Sequence, residues 1–315
     1  MKTLSVLNPA AGKGTAVLGR TGYITTGIGD CRRFVREECL ASPCAHFDVY
    51  GGDGTLNEAI NGIMDAGAGK TASVKMHPCG SGNDTVKTTD ASLGKGKAVP
   101  LDLIRWNEGY AVNMLNIGFD CNVVADAGNF KKRYGIAGKL SYILGVIKEF
   151  FKPFGEHFQI EAECADGEIF RYEGEAVLCA VCNGQWCGGG FHNSPLSDMQ
   201  DGLLEMILVR KVSKMGFIRM IGKYKSGEMM DKERREVIDS YKKVVVYKRV
   251  RALTLTGCMF RSSVEDLFTL PRVSAEYEGL SQELDDLQKQ GYELVGPSTG
   301  QNIQPVQMVD LDNDG

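Results

Sequence analysis

The stretch Phe47-Asp48-Val49-Tyr50-Gly51-Gly52-Asp53-Gly54-Thr55-Leu56-Asn57-Glu58 decides the fold. Phe47 to Tyr50 reads as a short strand. After the glycines, Leu56, Ala59, Ile60, Ile63 and Met64 fall at i, i+3, i+4, i+7 and i+8, one apolar face of a helix. The glycines therefore mark a strand-to-helix turn. Lacking Cβ, they let backbone N–H groups approach a ligand, and the helix start adds partial positive charge, so the turn suits phosphate. A plain connection in an α/β domain would use the same residues.

Two further segments add weight. Leu4 to Leu7 reads as a buried strand running into Asn8-Pro9-Ala10-Ala11-Gly12-Lys13-Gly14, and Pro78-Cys79-Gly80-Ser81-Gly82-Asn83-Asp84 follows later. The order NPxxGKG, GGDGTxNE, GxGND resembles the diacylglycerol kinase catalytic domain of bacterial lipid kinases, relatives of the sphingosine kinases, over roughly residues 1–255. NAD kinases share the GGDG turn, but the GSGND segment favours the lipid branch.

Composition is that of an ordinary globular chain: 315 residues, 43% hydrophobic, 24% charged, net charge -4. That charge argues against nucleic acid as partner and gives no global attraction to anionic lipid. No apolar run approaches the roughly eighteen residues of a membrane span. The opening MKTLSVLNPAAGKG passes at once into a strand and loop, so a cytoplasmic protein is expected, peripheral at the inner membrane face. The ten cysteines then read as reduced thiols. Cys179, Cys182 and Cys187, with His192 nearby, have a zinc-like look, but Val177 to Cys182 also reads as a buried strand.

Strands alternating with helices imply a parallel-sheet α/β domain over 1–98. Strand-like segments at Tyr110–Ile117, Phe158–Cys164, Ile169–Tyr172, Glu175–Cys182, Leu203–Val209 and Lys243–Tyr247 imply a β-sandwich or barrel over 99–255, as the resemblance also does. Helices are expected at about 136–152 and 213–230. The first carries Leu140, Ile143, Leu144, Ile147, Phe150 and Phe151, with Lys131, Lys132, Arg133, Lys139, Lys148 and Lys152 beside it. It serves either to dock on a membrane surface or to pack on its own domain. Only eight residues, Thr15 to Gly22, separate Gly14 from Tyr23, too few for the usual crossover helix, so an irregular sheet edge is expected there.

The resemblance implies ATP, Mg2+ and a lipid alcohol such as diacylglycerol. It places the nucleotide phosphates on the backbone of Gly51, Gly52, Asp53, Gly54 and Thr55, onward through Asn57 and Glu58. Asn8 and Lys13 line the first loop; Thr25 and Ser81 match ATP-contacting positions, within the segment that also holds Gly80, Asn83 and Asp84. Lys13 suits a phosphate contact on its own chemistry, although the spacing is not that of a P-loop. Asp53, Asp84 and Asp102 lie at or just after strand ends, where carboxylates hold magnesium directly or through water, or cap turns. A carboxylate inside a phosphate cradle repels its ligand unless a cation intervenes, which favours the cation for Asp53. Asp120 is a further candidate near the cleft. Asp198 to Glu205 resembles a DDGLLD-like turn, in which Asp198, Asp201 and the Leu203 carbonyl match the holders of a structural magnesium.

The chain departs from this pattern at its end. The family carries an Asp-Gly-Glu base motif after the strand matching Lys248–Thr256; none follows here, and Glu265 and Asp266 are the nearest acidic pair. Leu255-Thr256-Gly257-Cys258 resembles a lipobox, a polar helix is expected at about 275–291, and Asp310 to Gly315 is half of a calcium loop lacking its distal glutamate. Residues 256–315 are thus read as an atypical, foreign tail joined to a shortened kinase. Three alternatives to a lipid kinase stay open: a nucleotide-binding remnant with weak turnover, an NAD kinase-like enzyme, and an interaction protein governed by the tail. Oligomeric state has no signature.

Overall fold

The computed structural model describes residues 2–92, 99–106, 109–134, 139–152, 154–228, 244–256 and 306–309. The side chains of Lys13, Lys131, Lys132, Lys139, Leu140 and Ile143 also lie outside the described set.

Strands β1 (Thr3–Leu7), β2 (Tyr23–Ile24), β3 (His46–Gly51) and β4 (Ser73–Pro78) form a parallel sheet in the order β2-β1-β3-β4. Helices α1 (Asp30–Ala41) and α2 (Asp53–Asp65) pack together and cover it. Their apolar stripes, Cys31, Val35 and Cys39 on α1 and Ala59 and Ile63 on α2, close over Val6, Phe47 and Val49. Gly62 permits this approach: a Cβ there would lie 2.5 Å from the Arg32 carbonyl oxygen. The short connection after β1 contains only a 3-10 turn (Ala11–Gly14) and bends, and β2 has just two residues. The sheet edge is accordingly bare, with Leu18, Ile24 and Ile28 exposed.

The second sheet is antiparallel. Its strands are β5 (Leu103–Trp106), β6 (Gly109–Ala111), β7 (Met114–Gly118), β8 (Glu156–Cys164), β9 (Ile169–Cys182), β10 (Leu204–Arg210), β11 (Val245–Thr256) and β12 (Val306–Val309). The order is β10-β9-β8-β11-β12-β5-β6; β7 adds to β9, and β10 pairs β11, which closes β8 to β11 into a ring. Helices α3 (Asp84–Ser92), α4 (Phe119–Tyr134), α5 (Lys139–Phe151) and α6 (Lys214–Ser226) complete the described fold. Two pairs of expected strands are continuous, as β9 and β11. Helix α4 was not among the helices expected from the sequence; of its described side chains, Phe119 and Val123, four residues apart, are buried and apolar.

Cys179 and Cys182 both lie in β9, on opposite faces: the Cys179 side chain packs with Ile117 and Phe158, that of Cys182 with Phe119 and Phe217. Period-2 alternation thus separates two of the zinc-like cysteines. Strand β12 inserts between β11 and β5, so four residues of the tail belong to the sheet. Glu265, Asp266, Cys258, the 275–291 segment and Asp310 to Gly315 lie outside the described residues.

Candidate active site

The three glycine segments leave the carboxyl ends of adjacent strands β1, β3 and β4, where open α/β sheets bind ligands. They are tied together by backbone: Asn8 N–H donates to the Tyr50 carbonyl (3.0 Å), and Cys79 N–H to that of Gly51 (2.7 Å). Gly52 and Gly80 meet face to face. A Cβ on Gly80 would lie 2.5 Å from the Gly52 Cα, so Gly80 does not tolerate a side chain, and one on Gly52 would meet the Gly80 Cα at a tight 3.1 Å. Asn83 takes φ 52, a left-handed turn asparagine accepts, and its amide closes the loop by accepting from Gly80 N–H and donating to the Gly80 carbonyl, both at 2.9 Å. Helix α2 has no side-chain cap, and among the described residues the N–H groups of Gly52, Asp53 and Gly54 donate to no protein group. Unpaired donors at a helix start, in a cradle that a Cβ would fill, fit an anion.

The side chains around this cradle are largely committed. Asn8 Nδ2 donates to Thr55 Oγ1 (2.8 Å), and Thr25 N–H to the Leu7 carbonyl (2.9 Å). Glu58 Oε1 accepts from Gly29 N–H (3.0 Å), steadying the start of α1, while Asn57 Oδ1 accepts from Val112 N–H (3.2 Å). Both side chains thus have backbone partners outside the glycine turn. Ser81 is exposed at the loop tip. Asp53 Oδ1 accepts from Thr85 N–H (2.9 Å) and Thr85 Oγ1 (3.1 Å), capping α3. Asp84 is buried; its Oδ1 accepts from Lys87 (2.7 Å) and its Oδ2 from Gly189 N–H (2.7 Å). Both carboxylates flank Gly82: a Cβ there would be 3.1 Å from Asp53 Oδ2 and from Asp84 Oδ2. Asp53 Oδ2 has no protein donor among the described residues, which leaves it able to meet a cation.

A second acidic centre lies at the Asp198 to Glu205 turn. Asp102 reaches it, its Oδ2 accepting from Gly202 N–H (2.9 Å) and its N–H donating to the Met199 carbonyl (2.8 Å). Asp198 Oδ1 accepts from Gln200 N–H (3.1 Å), and Asp201 Oδ1 from Leu203 N–H (2.9 Å). Asp102 is thus tied to this turn, but among the described residues the carboxylates of Asp102, Asp198 and Asp201 do not converge closely enough to share one ion. The arrangement adds what the sequence did not show: Asp201 Oδ2 is ion-paired with Arg249, which also binds buried Glu205 at 3.1 Å. Burial pushes the Glu205 carboxyl up to about 7, with Arg249 pulling it partly back. Burial likewise raises Asp120, in the first turn of α4, to about 6.

Two residues beside the first site escaped sequence reading. The Arg20 guanidinium lies 4.6 Å over the Tyr50 ring, and the His77 ring stacks on the same Tyr50 ring at 4.1 Å. The lone arginine in the shortened connection was the available signal for Arg20. An Asp-Gly-Glu triplet does occur at Asp166 to Glu168, but it forms the β8–β9 hairpin turn. The fourteen residues of β9 run from that turn to Cys182, which at about 3.3 Å per residue is more than about 40 Å of strand. The segment after Cys182 is the one that contacts α3, through Gln185 N–H to Thr88 Oγ1 (3.0 Å). The triplet therefore sits at the wrong end to serve the cradle.

Residues 21–112 match the family model of the diacylglycerol kinase catalytic domain, and residues 113–257 that of the YegS C-terminal NAD kinase beta sandwich-like domain. The chain thus carries a stretch similar to the diacylglycerol kinase catalytic domain followed by one similar to the YegS C-terminal domain. A probable lipid kinase YegS-like protein of Shewanella frigidimarina is 28% identical over 195 residues, 58% of this chain and 60% of the relative. One from Yersinia pestis is 28% identical over 198 residues, 59% of this chain and 64% of the relative. The matched part thus spans about three fifths of these curated relatives. Two solved structures, each titled a putative diacylglycerol kinase from Bacillus anthracis, share the fold. One has TM-score 0.59 and 22% identity, covering 81% of this chain and 85% of that one. The other has TM-score 0.60 and 20% identity, covering 98% and 94%.

Proposed function

We propose that this chain is a lipid kinase that transfers the terminal phosphate of ATP, with magnesium, to the hydroxyl of a lipid alcohol such as diacylglycerol, working at a membrane face of the cytoplasm. The observation that carries this is the Gly52–Gly80 contact, which leaves the unpaired N–H groups of α2 open to a polyphosphate. Backbone donors fixed in advance cost no reorganisation when charge moves onto the transferred group. ATP would lie along Asn8, Lys13, Thr25, the Gly51 to Thr55 turn and the Gly80 to Asp84 loop. Lys13 is assigned from sequence, since its side chain lies outside the described residues. Magnesium, which would supply neutralisation of phosphate charge, would be held by Asp53 Oδ2 beside Asp84.

The missing late Asp-Gly-Glu favours a second reading, a nucleotide-binding remnant with slow turnover; loss of a general base typically costs about two to four decades. Purified protein is incubated with labelled ATP, magnesium and, separately, diacylglycerol, sphingosine, undecaprenol and NAD, beside Asp53→Asn. Label in a lipid that disappears in the variant supports the kinase. ATP uptake without product supports the remnant, and label in NAD alone overturns both.

A further inference from the structure

We infer that the outer faces of α5 and α6 form one docking surface for an anionic phospholipid bilayer. Among the large exposed apolar side chains, Phe151 (83% exposed) and Ile147 (48%) lie one turn apart on α5, and Ile218 (50%) and Met215 (57%) lie near the start of α6. The two helices are locked together beneath. Phe154 contacts Phe150 at 6.1 Å and Phe217 at 5.1 Å, ring centre to ring centre. Lys214 lies 5.6 Å over the Phe150 ring, and Ile218, four residues on, shares its helix face. The Lys214–Phe150 contact thus joins the α6 side of the patch, with Ile218, to the α5 side, with Phe151 and Ile147.

Its charge selects the partner. Lys148 and Lys152 are answered by Asp126 and Glu149, and Lys211 by Glu175. Lys214 and Arg219 have no ion-pair partner among the described residues, so the surface carries a local positive surplus on a chain of net charge -4. Apolar side chains that enter the acyl boundary, with cations at headgroup level, are the two signals that peripheral attachment needs. A protein partner would more often bring its own acidic side chains, yet the patch centre is uncharged apart from Lys214. The inference deepens the proposed reading by naming the face that meets the lipid, and binding does not require turnover.

The test is flotation of the full chain with phosphatidylcholine vesicles and with mixed phosphatidylcholine/phosphatidylglycerol vesicles. The chain is expected to float with the mixed vesicles. Phe151→Ser combined with Ile218→Ser should lower the bound-to-free ratio by about tenfold or more, the scale of losing two exposed apolar anchors. Lys214→Gln with Arg219→Gln should erase the preference for phosphatidylglycerol. Ile28→Ser, 67% exposed on the other domain, should change nothing. All these side chains are on the surface, and circular dichroism checks that each variant is folded. Absence of flotation by the unaltered chain overturns the inference, as does undiminished flotation of the Phe151/Ile218 variant. Self-association in sedimentation that vanishes in that variant also overturns it, since the patch then covers a second copy. Transfer of label to soluble dioctanoylglycerol is read in parallel. The docking variant should keep it, and its failure in the unaltered chain would count against the kinase alone.

Discussion

The two acidic centres of this chain are built in opposite ways. The cradle after β3 is made from backbone, with two glycines in contact and an uncapped helix start. The turn at Asp198 to Glu205 is made from side chains, whose charges are apportioned among Arg249, Glu205 and Asp201. A backbone site is fixed by a few residue types, because only glycine permits the approach. A side-chain site depends on what arrives from elsewhere, and Arg249, on β11, is 48 positions away from Asp201. Motif reading is accordingly safer at the first centre than at the second.

This contrast can be broken most forcibly at Gly80. Gly80→Ala places a Cβ 2.5 Å from the Gly52 Cα and must open the cradle. Calorimetric ATP affinity should fall by about 10²–10³, the scale of losing preorganised backbone donors; unaltered uptake would mean that the phosphates bind elsewhere. Asp53 offers a finer cut, since its two oxygens have separate partners. Asp53→Asn keeps an acceptor for the α3 cap but loses the charge for a cation, so thermal stability should hold while magnesium-dependent transfer falls by about tenfold to a hundredfold. Asp53→Ala should lose the cap as well, about 1 kcal/mol in urea unfolding.

The side-chain centre should respond in stability. Arg249→Ala leaves the wholly buried Glu205 carboxylate without its cation, and a cost of about 1–3 kcal/mol is expected in urea titration at neutral pH. The smallest effect is a pH slope. Glu205 has its carboxyl raised in the fold from 4.5 to about 7. Below the lower value both folded and unfolded chains are protonated and its contribution is fully present. As pH rises toward 7 the unfolded chain ionises first, so stability is lost. Glu205→Gln should flatten that loss between pH 4.5 and 7, seen as converging melting temperatures at low pH and a relatively stabler variant above it. Parallel curves for the two proteins would place the titration elsewhere.

By itself the sequence determined the parallel sheet, the strand-to-helix glycine turn, the irregular first edge and the positions of the second domain's main strands. Each follows from local periodicity or from glycine at a position where a Cβ cannot fit. It did not show α4, nor the fusion of four strand signals into β9 and β11, where hydrogen-bonded neighbours carry the chain through polar interruptions. Only the tertiary structure decided what the acidic and amide side chains do. Asp53 caps a helix with one oxygen, Glu58 and Asn57 accept from the backbone of Gly29 and Val112, and Asp201 answers an arginine, because a side chain's role is set by the donors and charges that folding brings within about 3 Å of it.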